Sequence, residues 1–294
     1  MGVQAALEAH LKSGLTTVAR CWGIERTDGC KFGFTDHDLD LSFEGHVFKA
    51  QTGLTSTALE QSTGLSVDNT EAMGALSDAS VSDADIEAGR FDQAQVFCWL
   101  VNWSDVSERT LMFRGTIGEL RRAGGAFHAE LRGLTEALNR PLGRVFQKPC
   151  TAVLGDSCCG FDLTSTGYSD LRPVDDVSEN RIFRWRNLSG FAPGWFERGR
   201  LTVQSGDAKG LKQTIKQDRI EGEIRIIELW EPIRASITSD DQVLLEAGCD
   251  KRHTTCRFKF NNILNFQGFP DIPGEDWMMS YPRQAGENSG GSLR

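Results

Sequence analysis

The sequence predicts an α+β fold that is mainly β, with several β-rich domains and few short helices. Short segments of alternating apolar and polar residues recur along the chain between turn signals, as strands do. Helical periodicity is confined to short segments. The chain of 294 residues exceeds a typical single domain, and its 39% hydrophobic content agrees with a folded protein. Cysteines are grouped in two distant segments, and this grouping predicts a C-terminal region that is cross-linked through its cysteines.

The first fifty residues predict a short amphipathic helix followed by strands. Val3, Leu7 and Leu11 recur at helical spacing, and Gly14 stands where a C-cap glycine would end the helix. The helix is expected to pack on the sheet that follows it. Strands are predicted over residues 16–26, 32–43 and 46–50.

The second of these strands contains the pattern D-x-D-x-D at Asp36–Asp40. Its alternation predicts a half-buried strand with the aspartates on one face. A calcium loop would need glycine at its sixth position and glutamate at its twelfth, where the chain has Leu41 and Val47. A hydrolytic centre around His37 is not favoured, because consecutive strand residues point to opposite faces. The pattern therefore indicates an ordinary strand.

The middle of the first half predicts a capped helix and then a hairpin. Ser82 can cap a helix over residues 82–90, and a further helix is predicted over 134–140. Strands are predicted over 93–103 and 109–133, the latter turning at Gly124 and Gly125. Cys21 and Cys98 lie in apolar strands and are predicted to be core residues, whereas Cys30 lies in a turn.

The domain organisation follows from these patterns. Further strands are predicted over residues 199–205, 211–218 and 222–233. The predicted divisions are an N-terminal β-rich domain (1–145), a four-cysteine metal-cluster region (146–164 and 245–275), an inserted β-rich domain (165–244) and a C-terminal tail (276–294). The tail has too little apolar content to order itself.

The charge and hydropathy of the chain exclude some classes of function. The net charge of −9 and pI near 5.2 argue against a protein that grips nucleic acid, since phosphate contacts need clustered Lys and Arg. The basic segment Arg181–Asn187 could bind single strands, but an exposed strand edge with arginine stems over aromatics explains it better. No membrane span or signal peptide is predicted, so synthesis in a cytoplasm is expected, where cysteines stay thiols or bind metals.

Four cysteines form two pairs that look like halves of one metal site. Cys150 and Cys159 lie in the first cysteine loop (Lys148–Leu163), and Cys249 and Cys256 lie in the second cysteine loop (Ala247–Gly274). Thiolates select zinc, copper(I) or iron–sulfur clusters. The intervals of eight and six residues are wider than a zinc-ribbon knuckle and suit a wider four-iron cluster. Paired disulfides, or buried free cysteines acting as apolar residues, remain alternatives.

Three motifs together resemble one known family. They are LGDSCCGFDL, GCDKRHTTCRFKFNNILNFQGFPDIPG and the earlier GFTDHDLDLSFEG. They are similar to the tail-tip baseplate hub proteins of long-tailed phages and phage-like gene transfer agents, over most of positions 1–275. Related tail-tip proteins of the lambda type carry a four-cysteine iron–sulfur cluster. The resemblance implies a 4Fe-4S cluster, with zinc as the alternative, bound by Cys150, Cys159, Cys249 and Cys256. It also makes Cys158 the extra cysteine, because the family's ligand directly precedes the glycine.

The resemblance further implies a structural protein, not an enzyme, located in the tail baseplate of a phage-like particle. It would close the distal end of the tail tube as a homotrimer. Its partners would be the distal tail protein, tail-tip or fibre-bearing baseplate proteins and a tail-associated cell-wall peptidase. DNA would pass through a neutral to acidic channel without specific binding.

Two enzymatic alternatives are weighed against this structural role. One is a metal-dependent or iron–sulfur-dependent redox enzyme, which would usually need an open coordination position, whereas four thiolates close the shell. The other is a cell-wall hydrolase, for which no Cys–His or Glu centre stands out in the sequence. Both are therefore ranked below the hub.

Overall fold

The computed structural model describes residues 5–50, 69–74, 82–123, 126–133 and 143–272. The chain divides into two compact units, Met1–Pro141 and Leu142–Arg294. Regular structure in the described residues is mainly strand with a few short helices, so the predicted fold class is confirmed. No helix in those ranges has the length and apolar character that crossing a membrane requires. The predicted helix at 134–140 and the tail at 276–294 lie outside the described residues.

The first unit is built on a six-stranded antiparallel sheet. Its described elements are α1 (Ala5–Lys12), β1 (Val18–Glu25), β2 (Lys31–Thr35), β3 (Leu41–Phe43), β4 (His46–Phe48), β5 (Asn69–Gly74), α2 (Asp83–Glu87), β6 (Gln95–Asn102), β7 (Arg109–Ala123) and β8 (Ala126–Gly133). The strand order is β2-β1-β6-β7-β8-β5, and β3 pairs with β4 in a separate small sheet. The predicted α1, the hairpin β7–β8 and α2 are confirmed. Ser82 caps α2, because its Oγ accepts the Asp85 N–H at 3.1 Å.

Two separate apolar clusters form the interior of this unit, one containing Cys98 and the other containing Cys21. Cys21 and Cys98 are fully buried there, in agreement with the prediction, and Cys30 is exposed. The small sheet lies against β2, where Lys49 donates its N–H to the Gly33 carbonyl at 3.0 Å. A Cβ on Gly33 would lie 2.3 Å from the Val47 carbonyl oxygen, so this close approach requires glycine.

The predicted strand over 32–43 is wrong in its middle. Residues 36–39 form bends between β2 and β3, and Leu39 is 68% exposed rather than facing a core. The carboxylate of Asp36 accepts the Arg20 N–H at 2.7 Å, and that of Asp40 accepts the Ala50 N–H at 2.8 Å. Because these side chains satisfy backbone donors elsewhere, the segment is held as a loop.

The second unit is built on a seven-stranded antiparallel sheet. Its described elements are β9 (Ser169–Pro173), β10 (Asp176–Ser178), β11 (Ile182–Trp185), β12 (Arg200–Val203), β13 (Lys212–Glu221), β14 (Ile224–Leu229), β15 (Gln242–Glu246), α3 (His253–Phe258) and the 3-10 helix Ile263–Asn265. The strand order is β10-β11-β14-β13-β12-β15-β9. The chain leaves β15 directly into the second cysteine loop.

A buried ion pair lies inside this sheet. Arg225 on β14 and Asp218 on β13 have side chains 2% and 0% exposed, and they are 2.6 Å apart. Arg225 also donates to the carbonyls of Phe191 and Ala192, and Asp218 accepts the Phe196 N–H at 2.9 Å. Both charges are thus hydrogen-bonded, which a buried pair requires.

The basic segment Arg181–Asn187 is not the exposed edge that the sequence suggests. Its strand β11 lies between β10 and β14, and the rings of Phe183 and Trp185 are in the core. Arg184 pairs with Asp176 at 2.9 Å, and Arg181 pairs with Glu228 at 2.8 Å. Both arginines therefore form ion pairs with carboxylates of neighbouring strands of the same sheet.

Candidate metal centre

The four cysteines singled out from the sequence line one cavity in the second unit. Cys150 and Cys159 come from the first cysteine loop, and Cys249 and Cys256 come from the second. Cys158 is exposed and is not among the residues that line the cavity. The structure therefore brings together four thiols that are separated by up to about a hundred residues in sequence, and it places the adjacent fifth one outside.

Asp156 shapes the first cysteine loop. One oxygen of its carboxylate accepts the N–H groups of Cys159 at 2.6 Å and Cys158 at 3.0 Å, and the other accepts the Val153 N–H at 2.8 Å. These bonds, that of Cys159 foremost, hold the pKa of Asp156 below its usual value. Gly160 follows with φ of +61°, a conformation that favours glycine. The turn carries Cys159 to the cavity.

The second cysteine loop presents its two thiols from different local structures. Cys249 follows the end of β15, whereas Cys256 lies on α3, where its N–H donates to the Arg252 carbonyl at 3.0 Å. Beyond α3, Phe260 is 4% exposed and packs edge-on against Phe161 of the first loop at 4.9 Å between ring centroids. An aromatic contact thus supports the two loops beside the cavity.

Polar contacts also join the loops directly. The Cys150 N–H donates to the Lys251 carbonyl at 2.9 Å, and the Lys251 ammonium donates to the Ala152 carbonyl. The side-chain amide of Asn262 donates to the Cys159 carbonyl at 2.7 Å. Hydrogen bonds to backbone groups at or near Cys150, Cys159 and Cys249 therefore hold the two loops together.

Lys259 connects the second cysteine loop to the segment before β12. Its ammonium donates to the carbonyls of Trp195 at 2.6 Å and Gly248 at 2.8 Å, and it lies 4.3 Å from the centroid of the Trp195 ring. Burial lowers the pKa of Lys259 to about 8. This half-buried cation anchors the backbone immediately before Cys249.

The surroundings of Cys249 and Cys256 disfavour the thiolate form of these two cysteines. Burial, followed by the neighbouring Cys249, Cys150 and Cys159, raises the pKa of Cys256 to about 11. Burial also raises the pKa of Cys249. Backbone N–H groups of Lys251 and Gln267 lie 3.4 Å from the sulfurs of Cys249 and Cys150. A bound cation would offset the cost of ionising Cys249 and Cys256 in this cavity.

Within the described residues, no three Cys, His, Asp or Glu side chains converge closely enough to hold one metal ion. All eight cysteines are free, so the disulfide alternative is not realised in this structure. Lys251 and Arg252 also line the cavity and supply positive charge beside the thiols.

The sequence identified the thiols but missed the residues that position them. Asp156 had a local signal, because an aspartate two and three residues before a backbone N–H commonly accepts from it. The roles of Lys251, Lys259 and Asn262 had none, since their partners lie far away in sequence. Cys158 lies outside the cavity, where the resemblance implies an extra cysteine would be, and the set of four ligands stays a prediction.

Comparisons with known proteins match both halves of the site. Residues 4–162 match the family described as baseplate hub protein, N-terminal attachment domain, and residues 194–276 match the phage conserved hypothetical protein BR0599 family. A chain of the solved structure described as "Virion of native gene transfer agent (GTA) particle" is 52% identical, with a TM-score of 0.91. The alignment covers 99% of this chain and 100% of that chain. No curated protein matches.

Proposed function

The chain belongs to the baseplate hub protein family, and we propose that it closes the distal end of the tail tube of a phage-like gene transfer particle, with a structural iron–sulfur cluster in its cysteine loops. The observation that carries the structural role is the 52% identity, over 99% of this chain, to a chain of a gene transfer agent virion. Identity at this level over nearly the whole chain favours the same place in a similar particle. It also points to a structural protein rather than an enzyme.

The donor set fits a soft metal centre. Four thiols line one cavity together with Lys251 and Arg252, and the cations would offset the negative charge of a thiolate-bound cluster. Cys150, Cys159, Cys249 and Cys256 would hold the cluster. When bound, it would cross-link the two cysteine loops through metal–thiolate bonds. The sequence intervals of eight and six residues within the two cysteine pairs are the ground for preferring a 4Fe-4S cluster to a single zinc ion.

The cluster proposal is tested on protein purified without oxygen. We expect broad absorption in the blue, with iron and acid-labile sulfide in about a four-to-four ratio per chain. A colourless protein with one zinc per chain would overturn the iron–sulfur assignment and leave the four-cysteine site standing. Protein that holds no metal under any anaerobic preparation would overturn the site itself.

The oligomeric part of the proposal is a homotrimer with a neutral to acidic channel. Residues 1–141 contain 20 Asp and Glu against 12 Lys and Arg, so the first unit carries most of the net negative charge. A surface of this sign lets DNA slide past without sticking. The partners we propose are the distal tail protein, the tail-tip or fibre-bearing proteins and a tail-associated cell-wall peptidase.

The trimer is tested by the number of copies in purified tails. Quantitative mass spectrometry against a tube protein of known six-fold symmetry should give three copies of this chain per particle. A monomer or dimer in the particle would refute the trimeric hub.

A further inference from the structure

One residue, Asn262, contacts both halves of the four-cysteine site. Its side-chain amide nitrogen lies 2.7 Å from the Cys159 carbonyl oxygen and 3.5 Å from the Cys159 sulfur. Its backbone N–H donates to the Cys256 carbonyl at 3.0 Å, and its own carbonyl accepts from the Cys256 thiol at 3.2 Å. The side chain also lines the cavity. Cys159 and Cys256, which come from different loops, are therefore both held by this one residue.

The orientation of the Asn262 amide is fixed by its neighbours. Asn265 donates its side-chain N–H to the Asn262 amide oxygen at 2.8 Å. The amide nitrogen must then face the Cys159 carbonyl, which can only accept. The hydrogen bond from Asn265 thus keeps the Asn262 amide nitrogen directed at Cys159.

We infer that Asn262 is a positioning residue for the metal centre: its side-chain amide holds the Cys159 carbonyl and stabilises the Cys159 sulfur as a ligand, and its backbone N–H holds the Cys256 carbonyl. This inference rests on the proposed four-cysteine site. Hydrogen bonds to ligating groups orient them and tune the metal, and their loss commonly weakens metal binding by about 10- to 100-fold. The amide is the only side-chain donor among the described contacts to the four sulfurs, since the others come from backbone N–H groups.

The test uses an isosteric change with a matched control. Asn262→Asp keeps the shape but replaces the donor with an acceptor, which would face the Cys159 carbonyl and sulfur. Asn261→Asp makes the same charge change one residue earlier, at an exposed position with φ of +47° that aspartate tolerates. We expect Asn262→Asp to release its metal to a chelator at least tenfold faster than both wild type and Asn261→Asp.

A second readout separates positioning from general loosening of the fold. In the fraction of protein that retains a cluster, loss of an N–H···S bond should shift the midpoint reduction potential negative. The shift should appear in Asn262→Ala, which adds no charge, and should be larger in Asn262→Asp. An unchanged potential in both variants would mean that Asn262 serves the fold alone, which would overturn the inference.

The outcomes distinguish this inference from the proposed site. If wild type binds metal and Asn262→Asp releases it as slowly as Asn261→Asp, the role of Asn262 is refuted and the site stands. If wild type and the Asn262 variants all lack metal, the four-cysteine site is refuted and the inference falls with it.

Discussion

The seven-stranded sheet and the cysteine loops belong to the same unit, but their interiors are built from different residues. Fifteen buried apolar residues form one cluster within the sheet. In the described parts of the cysteine loops, the buried apolar residues are Ala152, Ala247, Cys256 and Phe260. Large apolar side chains of these loops are instead exposed, with Phe258 at 78% and Leu264 at 96%.

This difference indicates what stabilises each region. Burial of apolar area stabilises the sheet by itself, at about 25 cal/mol per Å². The cysteine loops bury little, and their turns depend on hydrogen bonds whose net worth is only about 1 kcal/mol each. A segment with so small a core commonly needs a metal or cross-link to hold one conformation. The predictions below test whether the two regions can be destabilised separately.

The largest expected effect comes from removing one thiol of the cavity. Cys159→Ser should abolish stoichiometric metal and loosen both cysteine loops, because structural metal sites contribute on the order of 10 kcal/mol to folding. Amides of β12 to β15 should keep most of their exchange protection, since the sheet has its own core. Metal content and hydrogen exchange measure the two effects.

Cys158→Ser is the matched control, since its side chain is exposed and lies outside the cavity. It should retain the metal and nearly full stability. If Cys158→Ser loses the metal while Cys159→Ser keeps it, the ligand assignment is wrong. If Cys159→Ser removes protection uniformly along the unit, the two regions are not separable.

The next effect should fall on the sheet and spare the cysteine loops. Asp218→Ala leaves the Arg225 guanidinium buried without its partner, which should cost about 3 to 5 kcal/mol of unfolding free energy. Glu221→Ala removes an exposed ion pair with Arg219 and should cost less than about 1 kcal/mol. Urea unfolding measures both, and equal costs would contradict the role of the buried pair. Folded Asp218→Ala should still contain its metal.

The sequence predicted strands well where a local pattern decides the structure. The hairpin β7–β8 follows from period-two alternation, and strands β1 and β6 follow from short apolar runs bounded by turn signals. Neither pattern needs knowledge of distant partners. Asp36–Asp40 has the same alternation, but its carboxylates bind backbone N–H groups of Arg20 and Ala50, and the strand is interrupted. Strand β11 was taken for an edge because its partners β10 and β14 are fixed only by the tertiary fold.

The candidate site divides in the same way. Thiol chemistry and the intervals between cysteines point to a soft metal, so the four residues could be chosen from the sequence and the resemblance. The contacts that bring the loops together could not be, because Cys150 meets Lys251 and Cys159 meets Asn262 across about a hundred residues. Such pairings depend on where β9 and β15 place the two ends of the inserted strands.

A third prediction concerns the junction where the sheet meets the second cysteine loop. A Cβ at Gly248 would lie 1.7 Å from the Glu197 carbonyl oxygen, so Gly248→Ala must displace backbone on one side. We expect the free energy of unfolding to fall by about 3 kcal/mol. We also expect weaker metal retention, because Cys249 is the next residue.

Gly222→Ala is the control for this change. Gly222 has φ of +63° with nothing within 4 Å of the added Cβ, so its substitution carries only a backbone strain of about 1 kcal/mol. Thermal unfolding compares the two variants. If Gly248→Ala and Gly222→Ala retain the metal equally well, the junction at Gly248 does not couple the seven-stranded sheet to the metal site.

The smallest expected effect is a pH dependence of the sheet that does not involve the thiols. Asp241 precedes β15 and is buried, and its carboxylate accepts the Thr238 N–H at 2.8 Å, the Thr238 hydroxyl at 3.0 Å and the Ser205 hydroxyl at 3.1 Å. The Thr238 N–H first, and then the hydroxyls, lower the pKa of Asp241. A lowered pKa means that the folded state favours the charged carboxylate.

The stability contributed by Asp241 should therefore be fully present above the ordinary aspartate pKa of about 3.9 and be lost as the pH falls through the lower folded value. Asp241→Asn should cost about 2 kcal/mol at pH 7, where a charged acceptor is lost, and the cost should shrink toward pH 3. The control is Asp240→Asn, an exposed neighbour with φ of +81° that asparagine tolerates. The measurement is the urea concentration at which the amides of β15 lose half of their protection from hydrogen exchange. It is compared between the variants at pH 7 and at pH 3. A cost for Asp241→Asn that is the same at pH 7 and pH 3 would mean that the hydrogen bonds, and not the charge they stabilise, hold this end of the sheet.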